Sequence, residues 1–151
     1  MVADTTPDVQ EGLTRLTRVG LGRVIGYVLA DEAEWRKEGL ELGSISTQRC
    51  ANVHQNLQGE GAVQLVDVRS RAEWLKGHLR GAISIPLVEL DSGVRSVDLS
   101  KPSLVYCHEG FRATTAASIL VRENAGNIGI LIDGVEGWSA LGLPFEVPTT
   151  K

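Results

Sequence analysis

One cysteine of the chain lies where a strand-like apolar run meets a helix-like segment. The stretch SLVYCHEGFRATTAASIL (103–120) is apolar up to Cys107, crosses HEGFRA and continues as a pattern of small residues typical of a helix. Gly110 lets the intervening loop adopt a positive φ angle. A loop that curls in this way points several backbone N–H groups at one centre, and the following helix adds its positive end. The sequence therefore predicts an anion-binding loop around the sulfur of Cys107.

Such a loop could make Cys107 a nucleophile. The thiolate is the reactive form of cysteine, and both converging N–H groups and a nearby cation favour it. Arg112 supplies the cation, whereas the carboxylate of Glu109 opposes it, so we expect a partial shift toward the thiolate. The alternative is an inert thiol buried at a strand end. The glycine-containing loop and the helix after it favour the reactive interpretation.

The elements around this loop indicate an α/β fold. Three apolar runs, at 62–68, 103–107 and 127–132, are typical of parallel strands that are buried on both faces. Helical patterns follow at 70–78, 111–123 and 134–142, and an earlier helix is predicted at 46–57. The helix at 70–78 starts with Ser70 and has Glu73 three residues later, which is a capping-box pattern. We expect a small parallel sheet with helices on both faces and the active loop at the carboxyl end of a strand.

Composition narrows the possible functions. The chain has 151 residues, 42% of them hydrophobic and 23% charged, with a net charge of −4. Its Lys and Arg residues are scattered, so no surface for nucleic acid is predicted. The first residues lack a signal-peptide pattern, and no apolar run approaches the length of a membrane span. The two cysteines, Cys50 and Cys107, lack metal-ligand spacing, which predicts a reduced, cytoplasmic protein without a metal or disulfide framework.

Three ordered motifs resemble a single rhodanese domain over residues 44–148. They read LVDVRSRAEWLKGHLRGAISIP (65–86), LVYCHEGFRA (104–113) and LIDGVEGWSALGLP (131–144). The positions that match the family pattern are Asp67-Val68-Arg69, Glu73-Trp74, Gly77-His78, Gly81-Ala82, Cys107, Gly110, Ala113, Trp138 and Gly142-Leu143-Pro144. Two positions depart from that pattern: Asp133-Gly134 replaces paired glycines, and Ser84 replaces a common asparagine.

The resemblance implies a sulfurtransferase. Cys107 would take sulfane sulfur from thiosulfate or a low-molecular-weight persulfide and pass it from its own persulfide to a thiophilic acceptor. No cofactor or metal is implied, and the backbone amides of residues 108–112 would hold the sulfur. The implied substrate-binding residues are His108, Glu109, Gly110, Phe111, Arg112 and Arg69. Glu109 is expected to discourage a dianion such as thiosulfate.

Two other functions can be weighed against sulfur transfer. Related phosphatases and arsenate reductases place five residues between cysteine and arginine, whereas four, HEGF, separate Cys107 from Arg112. The shorter loop suits one sulfur atom better than a tetrahedral phosphate. A non-catalytic binding or regulatory module within a larger protein stays open as the alternative. The presence of Cys107 together with Gly110 and Arg112 favours transfer.

Asp67 and Arg69 follow the first strand and are predicted to tie the rim of the loop together. We expect an ion pair between them, joined by Glu73. A donor-binding role for Arg69 is the second interpretation of the same residue.

Residues 1–43 contain a weaker copy of the closing motif. Trp35, Gly39 and Leu40 repeat the Trp-Gly-Leu pattern of the closing motif, and Ile25-Gly26 repeats Ile128-Gly129 at the same offset. This repeat predicts the tail of a preceding, degenerate rhodanese copy, with chance similarity as the alternative. The resemblance implies a covalently linked upstream domain as a partner, either rhodanese or metallo-β-lactamase-like, besides a small-molecule sulfur donor and acceptor.

Overall fold

The structure is a computed structural model that describes residues 1–55, 57, 63–123 and 126–148. The chain divides into two compact units, Met1–Ser44 and Ile45–Lys151. The prediction that residues 1–43 are the tail of a preceding domain stays a prediction. None of the helices in the described ranges is long and apolar enough to cross a membrane.

The first unit is a small parallel β-α-β-α arrangement. Its elements are β1 (Val2–Ala3), α1 (Thr6–Arg18), β2 (Val28–Leu29) and α2 (Glu32–Lys37). Strands β1 and β2 pair in parallel. Helix α1 begins after Thr5, whose hydroxyl accepts a hydrogen bond from the backbone N–H of Asp8, while the Asp8 carboxylate accepts one from the backbone N–H of Thr5. This capping box satisfies N–H groups that the first helical turn leaves free.

The second unit contains the predicted sheet. Its elements are β3 (Ser46–Gln48), α3 (Cys50–Val53), β4 (Gln64–Asp67), α4 (Arg71–Leu75), β5 (Ile83–Ser84), α5 (Leu90–Gly93), β6 (Ser103–Tyr106), α6 (Phe111–Arg122), β7 (Ile128–Leu131) and α7 (Gly134–Ala140), with 3₁₀ turns at Leu87–Glu89 and Val94–Ser96. The five strands lie in the order β3-β7-β6-β4-β5 and all pairs are parallel. The strand that leads to Cys107, β6, is therefore in the centre of the sheet.

The three predicted strands are confirmed as β4, β6 and β7, although the first predicted run begins at residue 62, outside the described residues. The prediction of a helix over 46–57 is wrong at its start. Residues Ser46–Gln48 form β3, which pairs with β7, and the helix covers only Cys50–Val53. Residue 56, in the same predicted helix, lies outside the described residues.

Helices cover both faces of the sheet, as the sequence predicts. Alternate residues of β4 and β6 belong to two different cores, because successive side chains of a strand point to opposite faces. One core includes the small face of α6, built from Ala113, Ala116, Ala117 and Leu120. The other includes Cys50 and Val53 of α3 and Trp138 of α7. Helices α6 and α7, which flank β7 in sequence, thus pack on opposite faces.

Replacing Leu120 by Ala should destabilise the second unit. Leu120 is fully buried, and the cavity left by Leu120→Ala should lower the free energy of unfolding by about 2 to 5 kcal/mol. The neighbouring Val121 on the same helix is 45% exposed, so Val121→Ala should cost less than about 1 kcal/mol. Urea unfolding followed by circular dichroism measures both values. Equal effects of the two substitutions would contradict the assignment of α6 to the core.

Candidate active site

The candidate nucleophile lies directly after the central strand. β6 ends at Tyr106, Cys107 follows, and α6 begins at Phe111. In the described part of the chain, the Sγ atom of Cys107 accepts one hydrogen bond, from the backbone N–H of Gly110 at 3.1 Å. Gly110 has a φ angle of +99°, which a residue with a side chain rarely adopts. The predicted curl is therefore present, but in the described part of the chain one amide, that of Gly110, donates to the sulfur, whereas the sequence predicts several amides of residues 108–112.

Two carbonyl groups of the loop are hydrogen-bonded to α7. The carbonyl of Cys107 accepts a hydrogen bond from Val135 N–H at 3.0 Å, and the carbonyl of His108 accepts one from Glu136 N–H at 3.2 Å. Both donors belong to the first turn of α7, where backbone N–H groups have no partner within the helix. Helix α7 thus offsets the partial negative charges that would disfavour a thiolate.

Gly134 makes this close approach possible. Its φ angle is +45°, and a Cβ atom added there would lie 2.3 Å from the Cys107 carbonyl oxygen and 2.6 Å from that of His108. Neither contact is sterically possible without movement of the loop backbone. The family pattern has two glycines here, and the one that this chain retains is the one in contact with the active loop.

Asp133, which replaces the other glycine, has a local structural role. Its carboxylate accepts a hydrogen bond from the backbone N–H of Cys50 at 3.0 Å. The Cys50 thiol donates to the carbonyl of Gly134 at 3.3 Å and is fully buried. Burial, and then the hydrogen bond and charge of Asp133, raise the pKa of Cys50 to about 12. Cys50 is thereby held as an unreactive thiol below the loop.

Arg112 reaches the site but is bound to Glu73. Its Nη1 and Nη2 atoms donate to the two carboxylate oxygens of Glu73, each at 2.7 Å. Glu73 also accepts from the hydroxyl and backbone N–H of Ser70, which confirms the predicted capping box. The hydrogen bond from Arg112 holds the pKa of Glu73 well below its usual range even though partial burial opposes it. The cation expected to attract an anionic donor is thus already paired with a carboxylate.

The structure does not bring Arg69 to the loop pocket. The side chains of Arg69 and Asp67 are buried, with Arg69 Nη2 donating to Asp67 Oδ2 at 2.6 Å and to the carbonyl of Gly77 at 2.8 Å. A buried charge needs such partners to offset the loss of hydration. The predicted ion pair is present, but Glu73 does not join it because its carboxylate is occupied by Arg112 and Ser70.

A pocket of about 210 Å³ opens above the sulfur. It is lined by Cys107, His108, Glu109, Phe111 and Arg112. These are the loop residues that the sequence predicts for the nucleophile and for substrate binding, apart from Gly110, which contacts the sulfur through its backbone. The Cys107 residue is only 2% exposed, so a reactant has to enter this pocket to meet the sulfur.

Glu136 belongs to the rim of the site and is not predicted from the sequence. Ligand atoms of His108, Glu109 and Glu136 lie within 4.8 Å of one another, and all three residues are exposed. Within the described ranges these are the side chains whose atoms are close enough together to hold a metal ion. No local sequence signal points to Glu136, because its position depends on how α7 packs below the loop.

Replacing Gly110 by Ala should disrupt the loop. A Cβ atom there would lie 2.6 Å from the carbonyl oxygen of Ile132, and the φ angle would be strained as well. We expect Gly110→Ala to lower the free energy of unfolding by about 3 kcal/mol, the sum of strain and overpacking. Gly142 also has a positive φ angle but nothing within 4 Å, so Gly142→Ala should show only the strain, about 1 kcal/mol. Chemical denaturation of both variants tests this order, and a larger loss for Gly142→Ala would refute it.

The ion pair between Glu73 and Arg112 predicts a pH-dependent contribution to stability. Because the pKa of Glu73 is lower in the folded protein, its contribution is complete above the pKa of an unfolded glutamate, about 4.3, and declines as pH falls toward the folded value. Glu73→Gln should lower the free energy of unfolding at pH 7 by about 1 kcal/mol, a value typical of partly exposed pairs. This difference should shrink below about pH 4. Urea titrations of both proteins at pH 7 and pH 3.5 measure it, and a difference that grows in acid would contradict the pairing.

Comparison with known proteins places this geometry in one family. The family model described as a rhodanese-like domain matches residues 51–141. A thiosulfate sulfurtransferase GlpE from Pseudomonas fluorescens is 33% identical over 84 residues, which are 56% of this chain and 76% of that protein. The HTH-type transcriptional regulator Rv0324 of Mycobacterium tuberculosis is 32% identical over 87 residues, 57% of this chain, and this chain spans only 38% of its length.

Solved structures agree with the sequence matches. The rhodanese-like domain of the Alr3790 protein from Anabaena has 25% sequence identity and a TM-score of 0.62, with 70% of this chain and 81% of that chain covered. The matching family model, the active loop at the carboxyl end of β6 and this structural likeness lead to one conclusion. The chain belongs to the rhodanese-like family.

Proposed function

We propose that the second unit is a sulfurtransferase that carries sulfane sulfur on Cys107. The observation that carries this proposal is the hydrogen bond from Gly110 N–H to Cys107 Sγ at the base of a small pocket. This donor N–H stabilises the negative charge of the Cys107 thiolate, the form that attacks the sulfur donor. The relatives named thiosulfate sulfurtransferase support the same reaction class.

The reaction has two steps, as expected of covalent catalysis. In the first, the Cys107 thiolate attacks the outer sulfur of the donor; the sulfur–sulfur bond of the donor breaks and a new one forms at Cys107. The electron pair of the broken bond leaves with the rest of the donor, as sulfite from thiosulfate or as a thiolate from an organic persulfide. In the second, a nucleophilic acceptor takes the outer sulfur and returns Cys107 to the thiolate.

The surrounding residues position the sulfur rather than react. The ion pair between Glu73 and Arg112 joins α4 to the first turn of α6, which fixes the helix that follows the loop. The hydrogen bonds from Val135 and Glu136 hold the other side of the loop. Cys107 acts without a second thiol, because Cys50 is buried and bonded to Gly134. Both cysteines are free, which supports a reducing compartment such as the cytoplasm.

A regulatory module is the second candidate function. One relative is named as an HTH-type transcriptional regulator, and the region similar to this chain is only 38% of its length, which supports a place for such a domain within a larger regulatory protein. In such a role the present domain would bind a sulfur compound or a partner without turnover. Absence of a sulfur adduct on Cys107 with every donor would favour this function.

We also propose that residues 1–43 are the tail of a second rhodanese-like copy, so that the active unit is covalently linked to another domain. The order β1-α1-β2-α2 with parallel strands is the same as the order β6-α6-β7-α7 in the second unit. The repeated Trp-Gly-Leu pattern falls at the last helix in both cases. An upstream rhodanese or metallo-β-lactamase-like domain would be the covalently linked source of persulfide.

Replacing Cys107 by Ser should abolish sulfur uptake. The intact wild-type protein should gain the mass of one sulfur atom after incubation with thiosulfate or glutathione persulfide, and cyanide should remove it. Cys107→Ser should gain none, because the attacking thiolate is gone. The matched control is Cys50→Ser, which keeps a hydroxyl that can donate to Gly134 and should gain sulfur like the wild type. A persistent adduct on Cys107→Ser would show that the nucleophile is wrong.

A further inference from the structure

We propose that Glu109 sets the donor selectivity of the Cys107 pocket, so that the domain takes sulfur from an organic persulfide in preference to thiosulfate. This inference rests on the proposed sulfur transfer. It separates two donor classes that differ in charge and in leaving group: thiosulfate is a dianion that releases sulfite, whereas an organic persulfide carries at most one charge on its sulfur and releases a thiolate.

Among the described residues that line the pocket, no arginine lacks a carboxylate partner. Arg112 is the arginine among its lining residues, and both of its terminal nitrogens donate to Glu73 at 2.7 Å. This bidentate pair occupies two of the five N–H donors of the guanidinium and places a carboxylate directly against its positive charge. Arg49 lines a neighbouring pocket rather than the one above the sulfur. A thiosulfate sulfonate group would therefore meet a cation whose charge the carboxylate of Glu73 already offsets.

One carboxylate lines this pocket, and a second lies close to the first. Glu109 lines both the pocket above the sulfur and the neighbouring one. A carboxylate oxygen of Glu136 lies within 4.8 Å of a carboxylate oxygen of Glu109. His108 Nδ1 lies 3.5 Å from Glu109, but this imidazole offsets the charge only when protonated. Two carboxylates near the path of an incoming dianion raise the free energy of its encounter with a thiolate. A persulfide whose reacting group is neutral or singly charged meets less of this repulsion at the sulfur, because any other charges of its carbon part lie farther from the thiolate.

Phe111 adds an apolar wall that suits an organic leaving group. Its side chain lines the same pocket, and the residue is 82% exposed. A large apolar side chain so exposed beside a nucleophile can cover the carbon part of a thiol and bury apolar area on contact. Sulfite has no apolar surface to gain from this contact.

The preferred step is balanced without any other reactant. The Cys107 thiolate attacks the terminal sulfur of R–S–SH. A new sulfur–sulfur bond forms at Cys107, and the sulfur–sulfur bond of the donor breaks. The electron pair of the broken bond leaves on R–S⁻, and the proton stays on the transferred sulfur or is lost to water. One disulfide-type bond replaces another, so nothing is oxidised or reduced overall.

The test compares two donors on three proteins. Three proteins are compared: the wild type, Glu109→Gln and Glu123→Gln. Initial rates of Cys107 persulfide formation, with cyanide as the acceptor, give kcat/KM for each of the two donors, thiosulfate and glutathione persulfide. Glu123 is the matched control, because it lies at the opposite end of α6 and is also exposed. The wild type should prefer glutathione persulfide. Glu109→Gln should raise the ratio of kcat/KM for thiosulfate to that for glutathione persulfide about tenfold, the order expected for a unit charge near a dianion at a protein surface.

The outcomes separate this inference from the proposed function. A wild type that prefers thiosulfate, or a Glu109→Gln ratio equal to that of Glu123→Gln, would overturn the selectivity while leaving sulfur transfer intact. No persulfide on Cys107 with either donor would overturn the transfer itself and the inference with it. A raised ratio confined to Glu109→Gln, together with wild-type preference for the organic donor, supports the inference.

Discussion

Two backbone hydrogen bonds from the start of α7 to the carbonyls of Cys107 and His108 determine the shape of the active loop. They offset the partial negative charge of these two carbonyl groups, while the N–H of Gly110 donates to the sulfur. The approach requires a glycine at 134, where any side chain would collide with the loop backbone. The reactivity proposed for Cys107 thus depends on a contact between two segments of backbone, supported by the parallel pairing of β6 with β7.

The two arginines near the loop are each paired with a carboxylate, so their charges are offset within the protein. Arg69 is bound by the buried carboxylate of Asp67, and Arg112 by the partly exposed carboxylate of Glu73. Both pairs stabilise segments that enclose the loop. The direct hydrogen bond to the sulfur comes from the backbone N–H of Gly110, while Arg112 interacts with the charge of Cys107 without such a bond. This arrangement is compatible with an acidic rim beside the proposed nucleophile.

The parts of the fold that the sequence predicts are those with a strong local pattern. Composition predicts the apolar strands β4, β6 and β7. The spacing of Ser70 and Glu73 predicts the capping box. Strand β3 has no apolar pattern from which it could be predicted, because its three residues are polar and exposed at the edge of the sheet. The pairing of Arg112 with Glu73 and the position of Glu136 follow from packing between distant segments. The residues next to Arg112 and Glu136 in the sequence form no pattern that predicts these contacts.

The most direct test of the account is alkylation of the folded protein with iodoacetamide at pH 7, with Cys107 and Cys50 followed separately by peptide mass spectrometry. The account predicts rapid labelling of Cys107 through its pocket. Cys50, whose pKa is raised to about 12 and which is fully buried, should stay unlabelled until the protein unfolds. If Cys107 resists labelling as Cys50 does and reacts only on unfolding, its sulfur is not an accessible nucleophile and the proposed sulfur transfer is contradicted.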